Sequence, residues 1–315
     1  MTSARANPNS ANQLANQLAN RLANAPCSWG TLLPDGSRRI NYNQMLDELA
    51  RAGFVGSELG NYGYMPTDPT HLAHALTSRG LSLTGAWVTV RLYDASQQQA
   101  GLENALKVAR LLAEVGDDCV LNIGDDPSSV LLREQHAGRI RPEHGLDEAG
   151  WEVYLAGIHL VANAVKRESG LRVALHHHGA TYVETPAEIA YFLQHSDPAV
   201  VGLCLDTGHY ALGGGDPVQG LYDYAERIAL VHFKDFDPKV LEQATRENWT
   251  YTQMVGAGLF SELGQGNVDF AGILSALKDI NYDGWLVVEQ DILPGMGEPF
   301  ANAQRNRAYL QSLGL

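Results

Sequence analysis

Three consecutive histidines end a short apolar run, and they are the residues of this chain whose types and spacing most directly suggest chemistry. Residues 171–179 read LRVALHHHG, which has the composition of a buried strand up to the last positions. Successive side chains of a strand point to opposite faces. His176 and His178 would therefore enter one polar pocket at the end of the strand, and His177 would be structural.

Charged residues end four further apolar runs along the chain. The motifs GSELG, LCLDTGH, VHFKD and LVVEQD contain Glu58, Asp206, His209, His232, Lys234, Asp235 and Glu289. A charge at the end of a buried strand is costly unless it is paired or bound to a metal. Imidazoles and carboxylates recur at these strand ends, so we expect a bound divalent metal. The four expected ligands, one from each of four successive strands, are His176, Asp206, His232 and Glu289.

The types of these ligands narrow the choice of metal. Mixed nitrogen and oxygen donors suit Mn²⁺, Co²⁺, Zn²⁺ or Fe²⁺ better than Ca²⁺, which prefers oxygen alone. Taken singly, any of these histidines has the alternative interpretation of a satisfied core or surface side chain. The other histidines fall in predicted helices or loops and receive no role: His71, His74, His136, His144, His159 and His195.

Aromatic residues accompany the polar ones. Trp29 and Trp87 fall near predicted strand ends, where they would either form flat walls of a sugar or polyol site or plug the barrel as core residues. The stretch 235–267 is too long for an ordinary connection. Its aromatic residues favour an ordered cover that excludes water from the site. They are Phe236, Trp249, Tyr251 and Phe260.

The elements that would position these residues alternate regularly. Eight short apolar runs, each followed by a helical pattern, form one series from residue 25 to residue 315. Such alternation predicts parallel strands with helical crossovers. Eight units in this length predict an α/β fold, a single-domain (β/α)8 (TIM) barrel over 25–315. The alternative is an open doubly wound sheet, but its nucleotide-binding form has no support because no GxGxxG follows the first run.

The predicted strands cover 25–30, 54–59, 81–88, 119–123, 171–179, 200–206, 228–234 and 285–290. The predicted helices cover 42–52, 69–78, 97–115, 147–168, 186–195, 217–225, 270–280 and 299–313. Residues 1–24 repeat a short unit rich in Asn, Gln and Ala, so we expect a disordered or loosely helical N-terminal extension outside the fold.

Composition excludes several classes of partner. The formal net charge is -14, from 22 basic and 36 acidic residues, which argues against nucleic acid. Cys27, Cys119 and Cys204 are far apart and form no CxxC motif, so we interpret them as reduced core residues. No apolar run reaches membrane-spanning length and no secretory signal is visible. We therefore expect a cytoplasmic protein with neither a membrane nor a nucleic-acid partner.

The motifs together resemble those of the xylose isomerase-like barrel superfamily of sugar-phosphate isomerases and epimerases. The resemblance runs from about residue 25 to the C-terminus. It rests on APCSWG, FVGSELG, HHHGATYVETPAEI, LCLDTGHY, VHFKDF, GQGNVDF and GWLVVEQD. Within the superfamily, the HHHG run and FxGxELG are most similar to inosose (2-keto-myo-inositol) dehydratases.

The resemblance carries three metal ligands over directly, namely Asp206, His232 and Glu289. The superfamily usually has a glutamate as the strand-five ligand. This chain has His176 at about that position, and His178 is its competitor. Mn²⁺, Co²⁺ or Zn²⁺ is the implied cofactor.

The resemblance also implies which residues face the substrate. Lys234 of the HFKD motif and His209 of the DTGH motif would do so. Strand four departs from the dehydratase pattern, because Leu121 and Asn122 stand where inosose dehydratases tend to carry a Ser-Glu pair.

The implied reaction is a metal-dependent dehydration of a polyhydroxy ketone through an enolate. The catalytic candidates, which the sequence does not rank, are Lys234, His178, His209 and Glu58. The alternative is isomerisation or epimerisation of a ketose or sugar phosphate. Dehydration and isomerisation differ in where the second acid points. The resemblance leaves homo-oligomer formation open.

Two alternative functions belong to other classes of protein. Related barrels cleave abasic sites in DNA, but such an endonuclease needs a basic face and more histidines at strand ends, which the charge of -14 opposes. A sugar-binding barrel without activity would bind no metal and would keep its ligand affinity in a His232→Ala variant.

Overall fold

Eight parallel strands form a closed barrel in this protein. The structure is a computed structural model that describes residues 17–31, 40–127, 129–293 and 295–315. Neighbouring strands pair in chain order, and the last strand closes on the first. The strands are β1 (Leu22–Asn24), β2 (Gly56–Glu58), β3 (Ser82–Thr89), β4 (Val120–Gly124), β5 (Arg172–His176), β6 (Val201–Asp206), β7 (Ile228–Phe233) and β8 (Leu286–Val288). This architecture confirms the predicted (β/α)8 barrel.

Helices follow the strands along the described part of the chain. They are α1 (Tyr42–Ala52), α2 (Pro69–Thr77), α3 (Gln98–Val115), α4 (Leu131–His136), α5 (Glu148–Ser169), α6 (Pro186–His195), α7 (Thr207–Leu212), α8 (Pro217–Asp223), α9 (Pro238–Glu247), α10 (Tyr251–Gly256), α11 (Phe270–Asp279) and α12 (Pro299–Ser312). Short 3₁₀ turns cover Pro26–Trp29 and Pro142–His144.

Local sequence signals explain the helix boundaries. Thr185 caps α6: its hydroxyl accepts from the backbone N–H of Glu188, whose carboxylate accepts from the backbone N–H of Thr185. Pro186 fits the first turn, because its missing N–H would have no partner there. Asn41 and Asp147 cap α1 and α5 in the same way.

Two layers of apolar packing support the barrel. The larger core lies between the strands and the helices and includes Leu46, Phe192 and Leu277, all fully buried. A separate cluster of mostly small side chains contains Ala174, Cys204, Leu230 and Val287. Each of these four lies two residues before an expected metal ligand, on the same strand face. This inner cluster therefore packs directly beneath the polar strand ends.

The prediction for the first strand is wrong. β1 is Leu22–Asn24, whereas residues 25–30 were expected to be extended. Pro26 has no N–H to donate to a sheet ladder, and the chain instead makes a 3₁₀ turn that ends at Gly30, with a left-handed φ of 56°. The barrel therefore begins inside the predicted N-terminal extension. Residues 1–16 of that extension lie outside the described residues.

The segment after β7 is ordered over the described residues, where it forms helices α9 and α10. Strand β5 ends at His176, so His177 and His178 belong to the following loop rather than to the strand. Over the described residues, no helix has the length and apolar character needed to cross a bilayer.

Candidate active site

A cavity of about 450 Å³ opens at the C-terminal ends of the barrel strands. In barrels of this kind that end of the strands carries the chemistry. Six residues predicted for the site lie in its wall: Glu58, Trp87, His176, His178, Lys234 and Glu289.

The four predicted metal ligands lie at the base of this cavity. One donor atom from each of His176, Asp206, His232 and Glu289 falls within 4.8 Å of the other three. Nε2 of His176 is 3.1 Å from Nδ1 of His232, and that Nδ1 is 3.3 Å from Oε1 of Glu289. Four converging nitrogen and oxygen donors of this kind could hold a divalent metal.

A buried atom without a partner supports this interpretation. Oδ2 of Asp206 is buried and has no hydrogen-bond partner among the described residues. It lies 3.6 Å from Nε2 of His176 and 3.9 Å from Nδ1 of His232. Nζ of Lys234 lies 3.8 Å from the same oxygen and balances part of its charge, but no described residue completes a hydrogen bond to it. The donor set therefore fits a cation between these side chains.

The remaining ring nitrogen of His232 is held by Glu58. Nε2 of His232 lies 3.2 Å from Oε1 of Glu58, which also accepts a hydrogen bond from the Asn122 side chain at 3.0 Å. A carboxylate behind a ligating histidine fixes the orientation of its ring. The structure thus gives Glu58 a contact that orients His232, and it gives Asn122 of β4 a part in the site.

Opposite charges lie close together at the base of the cavity. Burial disfavours the charged form of Asp206, but Lys234 and His176 outweigh burial and lower its pKa to about 2. Burial likewise opposes the charge on Lys234, but Asp291, Glu289 and Asp206 hold its pKa well above the ordinary value. The carboxylate of Asp206 is therefore ionised.

Residues of the DTGH motif bond to the backbone of Lys234 and pack against its side chain. The hydroxyl of Thr207 donates to the backbone carbonyl of Lys234 at 2.7 Å and accepts from its N–H at 3.0 Å. A side chain at Gly208 would meet Cγ of Lys234 at 2.8 Å. Nζ of Lys234 then reaches Oε2 of Glu289 at 3.0 Å and Oδ2 of Asp291 at 3.4 Å.

A hydrogen bond fixes the position of the ring proton on His178. Nδ1 of His178 lies 2.7 Å from the carbonyl of Gly179, so Nδ1 carries the proton and Nε2 keeps a free lone pair. Burial, with Lys234 nearby, lowers the pKa of His178 to about 3, so its ring is neutral.

His209 lies behind the cavity wall rather than in it. The N–H of Gly179 donates to Nδ1 of His209 at 3.1 Å, and Nε2 of His209 lies 3.3 Å from Nζ of Lys234. The ring of His209 stacks on that of His178 with centroids 3.7 Å apart. The predicted substrate-facing position of His209 is therefore corrected to a supporting one.

His177 points away from the cavity, in agreement with the strand alternation. Its ring packs against Tyr210 of α7, and its Nε2 accepts the backbone N–H of Asp206 at 3.2 Å. The middle histidine of the HHH run therefore supports the strand that carries Asp206.

The two predicted tryptophans lie in different places. Trp87 lines the cavity and meets His176 edge-on, with ring centroids 4.8 Å apart. Trp29 is fully buried in the main core, where its Nε1 donates to Glu48 of α1 at 2.9 Å. The substrate-binding prediction for Trp29 is corrected accordingly, because the 3₁₀ turn directs this side chain away from the cavity.

Most residues of the cavity wall were not predicted as site residues, and three of these carry groups that can donate or accept a proton. They are Cys27, Tyr251 and Asp291. Asp291 follows Glu289 by two positions, and that spacing was a usable signal. Cys27 lies in the 3₁₀ turn and Tyr251 lies in the cover. No strand pattern predicts the path of either segment.

The comparisons with known proteins agree with this arrangement. A family model described as xylose isomerase-like TIM barrel matches residues 46–313. An inosose dehydratase of Geobacillus kaustophilus (strain HTA426) is 31% identical over 290 residues, which is 92% of this chain and 93% of the relative.

Solved structures share the fold at low identity. A probable 3-DHS dehydratase, AsbF of Bacillus anthracis, superimposes with a TM-score of 0.67 at 15% identity, covering 92% of this chain and 98% of its own. The IOLI protein with a bound zinc atom gives a TM-score of 0.68 at 14% identity, covering 93% and 97%. The chain belongs to the xylose isomerase-like TIM barrel family.

Proposed function

We propose that this enzyme is a metal-dependent dehydratase that acts on an uncharged polyhydroxy ketone such as 2-keto-myo-inositol. The observation that carries the proposal is the convergence of four donor atoms, from His176, Asp206, His232 and Glu289, at the base of the cavity. The similarity to an inosose dehydratase over nearly the whole chain supports the same substrate class.

The charges of the cavity wall favour a neutral substrate. Lys234 is the single lysine or arginine among the described lining residues, and Glu289 and Asp291 already pair with it. A phosphate or a carboxylate group on the substrate would need free cationic donors. This lining therefore favours a polyol ketone over a sugar phosphate.

A divalent metal bound by the four donors would supply a Lewis acid for the substrate carbonyl. The protein's own residues would then move the protons. The free lone pair on Nε2 of His178 would accept the proton next to the carbonyl. The ammonium of Lys234 would stabilise negative charge that develops on oxygen. Glu58 would hold His232 in place, and Trp87 would form the flat side of the cavity.

Dehydration and isomerisation can be separated by one assay. Purified protein is stripped of metal, reloaded with Mn²⁺ or Co²⁺ and incubated with 2-keto-myo-inositol, while ultraviolet absorbance follows an enone-type product. We expect absorbance to rise with reloaded protein and to stay flat with the His232→Ala variant. Absence of that product would refute dehydration. Entry of solvent deuterium into a ketose without loss of water would support the isomerase or epimerase alternative.

A further inference from the structure

We propose that Tyr251 is the acid that protonates the departing hydroxyl group, a role that rests on the dehydratase function proposed above. An elimination needs a group that takes the proton next to the carbonyl and a group that gives a proton to the leaving oxygen. None of the roles proposed above supplies the proton for the leaving oxygen.

The cover holds the ring of Tyr251 rigidly against the site. Tyr251 begins α10, whose first turn is fixed by a capping box between Thr250 and Gln253. Its ring meets that of His178 with centroids 5.6 Å apart. A side chain at Gly179 would meet Cε2 of Tyr251 at 2.9 Å, so the glycine makes room for this ring.

The phenol of Tyr251 has nothing to bond to within the described part of the protein. The residue is only 7% exposed and lines the cavity, yet its hydroxyl makes no hydrogen bond with any described residue. The hydroxyl oxygen is not sealed from solvent, so it can reach a molecule bound in the cavity. A hydroxyl group of a substrate in the cavity would supply a hydrogen-bond partner.

Two other acids of the cavity wall, Lys234 and Glu58, already have partners. Nζ of Lys234 pairs with Glu289 and Asp291, and Glu58 accepts hydrogen bonds from Asn122 and His232. Burial, followed by the nearby Asp291, raises the pKa of Tyr251 well above its ordinary value. The phenol therefore keeps its proton until a leaving oxygen takes it.

The proposed step balances in atoms and electrons. Nε2 of His178 first accepts the proton next to the carbonyl, and the electrons of that C–H bond form the double bond of an enolate. In a second step the enolate electrons form the new carbon–carbon double bond. The C–O bond to the neighbouring hydroxyl breaks, and its oxygen takes the proton of Tyr251 and leaves as water. The phenolate and the imidazolium then return to their starting states by proton exchange with solvent, so nothing is oxidised or reduced.

A Tyr251→Phe variant tests the proposal because it keeps the ring and removes only the hydroxyl. The reloaded enzyme is given 2-keto-myo-inositol in deuterium oxide, and water loss and deuterium entry next to the carbonyl are measured separately. We expect kcat for water loss to fall about 10²- to 10³-fold, the range typical of one acid catalyst. KM, Co²⁺ affinity and deuterium entry should stay near wild type. Tyr191→Phe on α6, outside the cavity, is the matched control.

Three results would overturn the assignment. Water loss at the wild-type rate would show that another group donates the proton. Equal loss of deuterium entry and water loss in Tyr251→Phe would show that the hydroxyl supports the site as a whole. If the wild-type enzyme catalyses neither process while it binds metal, the dehydratase function itself fails, and the role of Tyr251 falls with it.

Discussion

At the scale of single residues, His232 joins the two halves of the site. Its Nδ1 faces Glu289 and Asp206, and its Nε2 faces Glu58 of β2 on the other side of the barrel. Burial opposes charge on this ring, but Cys204, Glu289 and Glu58 outweigh it and hold the pKa of His232 well above the ordinary value. The His232 ring therefore carries a proton that a bound metal would displace.

Glu58→Gln should weaken metal binding without removing a ligand. The amide is close in size to the carboxylate but neutral, so it orients His232 less strongly and leaves it less basic. We expect Co²⁺ affinity to fall about 10- to 100-fold, measured by titration calorimetry. His232→Ala, which removes a donor atom, is the comparison and should lose more. Equal Co²⁺ affinity in Glu58→Gln and wild type would contradict this role.

The sequence was informative about the residues at strand ends and less so about the others. Asp206 and Glu289 could be predicted because a charged residue after an apolar run needs a partner. Trp29 and His209 were misplaced because their side-chain directions depend on a 3₁₀ turn and a short helix beyond the strands. Tyr251 reaches the cavity through tertiary packing, which no local pattern describes.

At the scale of elements, the cover is tied down at two points. Asp235, directly after β7, accepts the backbone N–H groups of Gly264, Gly266 and Val268. Arg139 donates to the backbone carbonyl of Ala244 at 3.0 Å and to that of Trp249 at 2.6 Å. These bonds hold α9 and α10 so that Tyr251 stays in the cavity wall.

Arg139→Ala should loosen the cover while leaving the barrel intact. The carbonyls of Ala244 and Trp249 would both lose the bond from Arg139, although backbone N–H groups still donate to that of Ala244, so this segment should open more often. We expect faster hydrogen exchange over 240–256, measured by mass spectrometry, with unchanged exchange in β5 to β8. Arg246→Ala, on the same cover, is the control. Unchanged exchange over 240–256 in Arg139→Ala would contradict the anchoring role.

The loop that follows the HHH run is organised by a buried glutamate. One carboxylate oxygen of Glu184 accepts the N–H of Gly138 at 2.6 Å, and the other accepts that of Ala180 at 2.7 Å. Ala180 has a left-handed φ of 68°, which is strained for a residue with a side chain. Glu184 thus holds a strained turn beside His178.

Glu184 should make stability depend on pH. Burial, only partly offset by Arg133, raises its pKa from 4.5 to about 7. Between these values the unfolded chain is ionised while the folded protein keeps the proton, so folding stability is present below the lower value and falls as pH rises. The loss should total about 3 kcal/mol.

The Glu184→Gln variant isolates this effect in urea unfolding. Since the variant cannot titrate, the stability of wild type relative to the variant should fall by about 3 kcal/mol from about pH 4 to about pH 8. Glu242→Gln, at an exposed position of α9, should show no such change. A difference between wild type and Glu184→Gln that stays constant across this range would contradict the linkage.

Most elements could be predicted from periodicity and capping, but β1 could not. α5 starts at the N-cap Asp147 and α12 starts at Pro299, and the structure ends both helices within one or two residues of the prediction. β1 is three residues long and lies in the Asn-rich repeat. Its strand state comes from pairing with β2 and β8, which local sequence does not encode.

At the scale of the whole molecule, the closed barrel brings together residues that are far apart in sequence. Glu58 and His232 are 174 positions apart, yet they share a hydrogen bond because β2 and β7 end at the same rim. The described cavity wall carries three carboxylates, from Glu58, Glu289 and Asp291, and one lysine, Lys234. The donor atoms at the strand ends therefore fit a cation. Cytoplasmic location and homo-oligomer formation stay predictions.

A titration of metal against activity tests the central claim most directly. Metal-free protein is mixed with increasing Co²⁺, and water loss from 2-keto-myo-inositol is measured at each step. One site built from His176, Asp206, His232 and Glu289 predicts no activity at zero metal and a linear rise that breaks at one equivalent per chain. Full activity in the metal-free protein, or no water loss at any Co²⁺ concentration, would contradict the account.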